Sequence, residues 1–382
     1  MRSSIVTLRL LLLASLAGLA AATPASASAP PIATVSAPST VAAYGGTLAW
    51  SAYDDATRRF TLMVRDDAGV RSLGVATRGA AFDVDLGPGP DGTPVAVYSR
   101  CAADPTFAEP LGYRGCRLYR YDLPGGPEQA IPIRRPAGFS DAKPAIWRGR
   151  LAWVRRADSG PGGDRPQVLV GAADGSGTPR PLSLITLHRC WRNYDPSPPT
   201  ICGPTRRRSV RGLDLSPAGV AISQEYLCPA APKFGRAGCG GGGGGFYETE
   251  LTMSTAGGHL RRLADSVAGL GGQIWTDPVF SGGGLYFARA CLGDPGGCAR
   301  GGSRIVRYDL RTHRYTRSPG PPRLYGLGLG AGHVFELLEP QPDRGCSLFY
   351  VAASMRPPGQ GPCELIDAGA PAFARYRGGR SP

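Results

Sequence analysis

The sequence predicts an all-β fold, a six-bladed β-propeller of four-stranded antiparallel blades that follows a cleaved signal peptide. Three observations carry this. Gly (56) and Pro (37) make up about a quarter of the 382 residues, roughly twice ordinary usage, and both break helices. Hydrophobic residues still reach 42% and fall in short runs, so a core can form. A Gly turn followed by a short apolar strand recurs six times at long spacing, the mark of a repeat architecture.

The chain opens with a stretch that reads as a secretory signal, residues 1–27. Arg2 and Arg9 give a positive start, Leu10–Ala22 is an apolar run, and Ala25-Ser26-Ala27 is a small-residue cleavage pattern. The run falls well short of the roughly 20 residues that a membrane-spanning helix needs. Cleavage after Ala27 removes two of the 43 cations and no carboxylate, taking the formal charge from +14 to +12. No later stretch is apolar over a spanning length, so no membrane span is expected in the mature chain.

Residues 28–382 read as one propeller domain. The repeated unit appears as Gly46-TLAWSAY, Gly92-TPVAVYSR, Gly149-RLAWVRR, Gly219-VAISQEY, Gly284-LYFARA and Gly332-HVFELLE, at spacings of 46, 57, 70, 65 and 48 residues. Each is followed by a second strand: RFTLMVRD (59–66), RLYRYDL (117–123), QVLVGAA (167–173), FYETELTM (246–253), RIVRYDL (304–310) and SLFYVAA (347–353). A weaker strand follows most of these, such as EQAIPI (128–133), and another precedes each turn, such as FDVDL (82–86) and VRGLDL (210–215). Four short strands per repeat make a propeller blade. One such sheet cannot bury both of its apolar faces alone; radial stacking buries them and leaves only short edges. A β-sandwich would explain regular strands but not the long-period repeat.

The blades span about 38–78, 79–136, 137–188, 209–266, 272–319 and 322–368, with 189–208 an insertion. At about 59 residues each they exceed the usual 40–50, so the excess belongs to loops. Ile32–Ser36 or Ala372–Arg377 is expected to complete an unfinished blade across the ring junction, because an open ring would expose a sheet edge.

The turns GPGPDG (87–92), LSPAG (215–219) and FSGGG (280–284) resemble degenerate copies of the Ser-Pro-Asp-Gly turn of TolB-like propellers, in the WD-repeat-like propeller superfamily. IWRGR (146–150) keeps the Gly of that turn. The resemblance covers about residues 38–368 and implies blade geometry. It implies little about activity, since propellers host many functions.

All ten Cys lie in the mature part, an even number that in a secreted chain implies disulfides. They fall as sequence neighbours: Cys101 with Cys116, Cys190 with Cys202, Cys228 with Cys239, Cys291 with Cys298, and, by elimination, Cys346 with Cys363. A pair flanking a hairpin loop has its Cα atoms close enough to bridge. Cys190 and Cys202 would staple the connection from blade three to blade four. Loops between the second and third strands open on the same propeller face as connections between blades. Four of the five staples are therefore expected on one face.

Acyl-transfer and phosphate-loop motifs are absent: there is no Gly-x-Ser-x-Gly, and Gly240–Gly245 lacks a following Lys-Ser/Thr. The four His form no His-x-x-x-His pair, and neither a metal nor another cofactor is expected. Carboxylates are more suggestive. Asp83 and Asp85 lie two apart on one strand, hence on one face, and Asp141, Asp214 and Asp277 precede their turns at similar distances. Innermost strands border the channel, where several Asp could bind a cation or polarise a hydroxyl. The preferred reading is that each Asp accepts N–H bonds from its own turn. Glu248 and Glu250 share a face further from the axis and read as solvated. Trp50, Trp147, Trp153 and Trp275 sit in strand-like runs and read as core. Trp191, Arg192 and Tyr194, with Arg206, Arg207 and Arg208 shortly after, suit glycan stacking, carboxylate binding or a protein interface.

Of the 43 cations only Lys143 and Lys233 are lysine. Outside the cell the expected partner is a protein or a polyanionic envelope glycan, not nucleic acid. The first functional reading is a secreted, non-catalytic scaffold that binds such a partner. The alternative is a secreted hydrolase or lyase acting on polysaccharide, which needs at least two carboxylates of perturbed pKa in one pocket. A further alternative is a TolB-like accessory factor for the envelope.

Overall fold

The computed structural model describes residues 31–35, 40–54, 56–103, 113–123, 125–158, 166–182, 188–192, 200–204, 206–227, 247–268, 273–275, 278–291, 303–319, 324–338, 363–370 and 374–375. They lie within one compact unit, Pro31–Pro382. After β1 (Pro31–Val35), blade one is β2 (Val41–Tyr44), β3 (Thr47–Asp54), β4 (Arg59–Asp66) and β5 (Gly69–Ser72). Blade two is β6 (Val84–Pro88), β7 (Pro94–Ala103), β8 (Tyr113–Asp122) and β9 (Glu128–Ala130). Blade three is β10 (Phe139–Trp147), β11 (Arg150–Ala157), β12 (Gln167–Ala172) and β13 (Arg180–Pro181). A hairpin, β14 (His188–Arg192) with β15 (Thr200–Pro204), precedes blade four: β16 (Arg206–Ser216), β17 (Gly219–Leu227), β18 (Tyr247–Thr255) and β19 (Leu260–Ala268). Blade five has its inner strand in two pieces, β20 (Gln273–Trp275) and β21 (Val279–Ser281), both paired with β22 (Gly284–Cys291), and then β23 (Arg304–Asp309) and β24 (Tyr315–Pro319). Blade six is β25 (Leu324–Gly330), β26 (His333–Leu338) and β27 (Cys363–Asp367).

The ring closes through the amino-terminal strand. β1 pairs antiparallel with β27, placing Val35 opposite Cys363 and making the outer strand of blade six. The carboxy-terminal strand β28 (Ala374–Arg375) instead extends the outer edge of blade five beside β24. Both end segments therefore cover edges, and the first of the two completes the unfinished blade.

Local chemistry explains the tight turns. Four first hairpins are two-residue turns with both residues at positive φ: Gly45–Gly46, Arg148–Gly149, Gly282–Gly283 and Ala331–Gly332. That backbone matches the twist of flanking strands, and Gly enters it without the Cβ penalty. In blade five the turn glycines are Gly282 and Gly283, and Gly284 already opens the strand.

Packing follows the two-residue period. In β4, Phe60, Leu62 and Val64 are buried while Arg59 is exposed. In β3 both faces are covered. Ala49 packs with Phe82, Val84, Leu86 and Tyr98 of the blade-two side, whereas Leu48 and Trp50 pack with Val35, Phe335 and Leu365 of the blade-six side. Further clusters join blades two and three through Trp153, three and four through Ile222, four and five through Phe287, and five and six through Leu327. Each apolar cluster is thus one blade–blade interface, so the core is a ring of contacts around the axis.

Several expectations are corrected or fall elsewhere. Blade four starts at Arg206, so Arg206, Arg207 and Arg208 belong to its inner strand and not to the insertion. Glu250 is buried, not solvated, because β18 is covered on both faces by the neighbouring blades. Trp50 and Trp153 are core, but Trp147 is half-buried. The strand that follows β26 is Cys363–Asp367, while SLFYVAA (347–353) lies outside the described residues. So do the expected signal peptide, Asp277, Tyr194, Cys228, Cys239, Cys298 and Cys346, and the side chains of Trp275 and Glu248.

Candidate functional site

The inner strands leave an axial cavity of about 540 Å³, lined from all six blades. Short side chains let the strands approach each other. A Cβ on Gly87 of β6 would stand 2.3 Å from the carbonyl oxygen of Ile146 on β10. Polar groups hook one inner strand to the next. Thr40 Oγ accepts from Val84 N at 3.0 Å, linking blades one and two. Asp85 Oδ2 accepts from Ile146 N at 2.8 Å, linking two and three. Asp214 Oδ2 accepts from Phe280 N, linking four and five, while its Oδ1 accepts from Leu215 N at 2.6 Å.

Three of the Asp singled out by sequence, Asp83, Asp85 and Asp214, line this cavity. Their partners differ from the expected ones. The hooks of Asp85 and Asp214 bind the next blade, because an inner strand has the neighbouring inner strand alongside it. Asp83 accepts from Ser99 Oγ at 3.2 Å and lies 3.5 Å from Lys143 Nζ. Asp141 is not a channel residue: it is 3% exposed and takes Arg155 Nε at 2.7 Å, Arg155 Nη2 at 2.8 Å and Trp153 Nε1 at 3.1 Å. Arg155 stands directly opposite it on β11, so the charge is neutralised within its own blade.

Burial sets the titration of the hooks. It pushes the Asp85 carboxyl well above the ordinary range, and the negative charge of Asp214 adds to this. Bonds from Ile146 and Leu86 N–H pull the other way without overcoming it. Burial likewise raises Asp214, to about 7, against bonds from Phe280 and Leu215.

Two cations share the cavity wall, Lys143 and Arg211. Each sits at a bulge. The register of β10 slips between Ala142 and Ala145, with Lys143 at φ +49°, and that of β16 slips between Val210 and Gly212. A bulged residue leaves the ladder, and its side chain is re-aimed. Among the described residues, Arg211 has no ion-pair partner. These cations lie three residues before Ile146 and Asp214, so they form a tier roughly 10 Å nearer the strand starts. At the opposite, turn-bearing end, Tyr44 and Trp147 meet edge to face with centroids 6.5 Å apart.

Stapling is seen at one place among the described residues, and the strand register sets a second expected pair face to face. Cys101 and Cys116 are joined, with Cα atoms 4.0 Å apart, across the hairpin between β7 and β8. Cys190 and Cys202 stand directly opposite each other in the β14–β15 ladder, which also carries Trp191 and Arg192. By strand direction the β7–β8 hairpin opens where the inner strands begin, on the cation-tier side, and β14–β15 is inserted in the connection from blade three to blade four, which runs on that same side. Lys143 and Arg211 escaped sequence reasoning as channel residues, because bulges leave no composition signal, while Trp147 reads as core in the sequence and Tyr44 is not singled out there. The rarity of lysine was the one available clue.

No family model and no curated protein matches the chain by sequence. Solved structures overlap it in part. The β-propeller domain of the Trilobed protease from Pyrococcus furiosus, described as having an open velcro topology, is 9% identical, with a TM-score of 0.38 over 89% of this chain and 99% of that one. A chain of a nidogen/laminin complex is 12% identical, with a TM-score of 0.41 over 86% and 98%. An oligogalacturonate lyase solved with manganese is 12% identical, with a TM-score of 0.42 over 77% and 69%. The blade topology of this chain, not these overlaps, establishes a six-bladed β-propeller.

Proposed function

We propose that this chain is an extracytoplasmic, non-catalytic propeller that binds a protein or a polyanionic envelope glycan through its stapled face. One observation carries the reading. The carboxyls that could have served as a catalytic pair, Asp85 and Asp214, each hold a main-chain N–H of the next blade, and the second oxygen of Asp214 accepts from Leu215 N of its own strand. A general acid or base must reach the substrate atom it serves. The stapled hairpins support binding as well, since loops ordered beforehand lose less entropy on association. The formal charge of the mature chain, +14 less the two Arg of residues 1–27, or +12, favours an acidic partner. The likeness of the turns to TolB-like blades supports the further alternative, a TolB-like accessory factor for the envelope.

The raised carboxyls in one cavity favour the alternative, a polysaccharide hydrolase or lyase. Titrating a polyuronate and a sulfated glycan into the purified protein, while following product release, separates the two. Saturable, salt-sensitive binding without product is expected. For a protein partner, cross-links mapping to the β7–β8 and β14–β15 hairpins are expected. Chain cleavage abolished by Asp85→Asn would overturn the reading.

A further inference from the structure

We propose that the channel holds an oxyanion site made by Lys143 and Arg211, for a ligand bearing a carboxylate, sulfate or phosphate group. The inference stands independently of whatever occupies the stapled face. Both cations are the re-aimed residues of bulges on neighbouring inner strands, β10 and β16, and both line one cavity. Bulges recur beside functional sites because they turn a side chain out of the ladder. Lys143 also holds a left-handed backbone, φ +49°, which a non-Gly residue adopts at a cost. A chain that uses Arg for all but two of its 43 cations places one of its two Lys at this position.

Charge accounting points the same way. A cation partly removed from water needs a counter-charge. Lys143 has only Asp83, at 3.5 Å, and Arg211 has none among the described residues. Asp85 and Asp214 do not cancel them, since burial holds both towards the neutral form and their oxygens face main-chain donors. The tier is left with an excess positive charge. A guanidinium fork and an ammonium lining one cavity match the paired oxygens of a carboxylate or the several oxygens of sulfate and phosphate. The cavity volume of 540 Å³ falls among small-molecule sites, typically about 300–1,000 Å³.

The test is calorimetric titration of the mature chain at low salt with inorganic sulfate, with free glucuronate and with a polyuronate. One-to-one binding of at least one probe is expected, weakened about tenfold or more by Arg211→Gln or Lys143→Gln. Arg211→Lys should retain part of the affinity, as it keeps charge but loses the fork. Lys143→Gly suits the left-handed backbone and serves if Lys143→Gln folds poorly. Sulfate or glucuronate binding identifies a free small anion; binding of the polyuronate alone identifies a group carried on a polymer. Two outcomes overturn the proposal: no probe binds the wild type, or Arg311→Gln on the exposed β23–β24 turn weakens binding as much as Arg211→Gln does. Absence of channel binding in the wild type, with hairpin cross-links intact, would sink this site and leave the proposed function standing.

Discussion

Replacing Glu336 with Gln should stabilise the protein, and by an amount that depends on pH. Glu336 lies on β26 between Leu327 of β25 and Ile366 of β27, and is 5% exposed. Among the described residues its carboxyl has no hydrogen-bond or ion-pair partner, and burial alone raises its pKa from the ordinary 4.5 to about 7. The folded protein therefore holds this proton more tightly than the unfolded chain. Its stability contribution is fully present below pH 4.5 and is lost as pH rises to about 7. At about 1.4 kcal/mol per pH unit, the gap amounts to about 3 kcal/mol above neutrality. Glu336→Gln does not titrate, so its gain over the wild type should be near zero at about pH 4 and about 3 kcal/mol at about pH 8. Urea unfolding of both proteins at the two pH values measures this. A gain that is equal at both, or a loss at the higher pH, would refute the burial argument. The raised Asp85 and Asp214 act with the same sign, so wild-type stability should fall from mildly acidic to neutral pH.

Other outcomes follow from single positions. Gly87→Ala puts a Cβ against the Ile146 carbonyl and should cost about 3 kcal/mol or more, read from thermal melts. Removing both Cys101 and Cys116 should cost about 3 kcal/mol, read from urea unfolding. Lys143→Gly should stay within about 1 kcal/mol of the wild type, because relief of the left-handed backbone offsets the added chain entropy. Val35→Ala, at 1% exposure in the closing interface, should cost about 2 kcal/mol and leave β1 the first strand to lose exchange protection.

The blades were legible because turn and strand signals are local. Gly46, Gly149 and Gly332 mark left-handed turn positions that almost dictate their residue type, and RFTLMVRD alternates as a half-buried strand must. The closing strand was legible only as a pair of options, since which end meets β27 depends on the whole ring. At the site, the strand pattern placed Asp83 and Asp85 together in the cavity, and Asp214 joined them. It could not reveal that Asp85 and Asp214 reach across to the next blade, because such bonds depend on how closely neighbouring inner strands approach. Asp141 looked equivalent to them, yet its neighbour across the ladder is Arg155, which engages it first. Lys143 and Arg211 went unseen because one extra residue in a strand re-aims a side chain without altering the hydrophobic pattern.

The central claim is that the channel carboxyls hold the ring together and leave ligand contact to the cations. Amide hydrogen exchange at Ile146 and Phe280 tests it most directly. In Asp85→Ala the protection of Ile146 N–H should drop while that of Phe280 persists, and in Asp214→Ala the reverse should hold. Unchanged protection at both amides in both variants would contradict the account and return Asp85 and Asp214 to candidacy as catalytic acids.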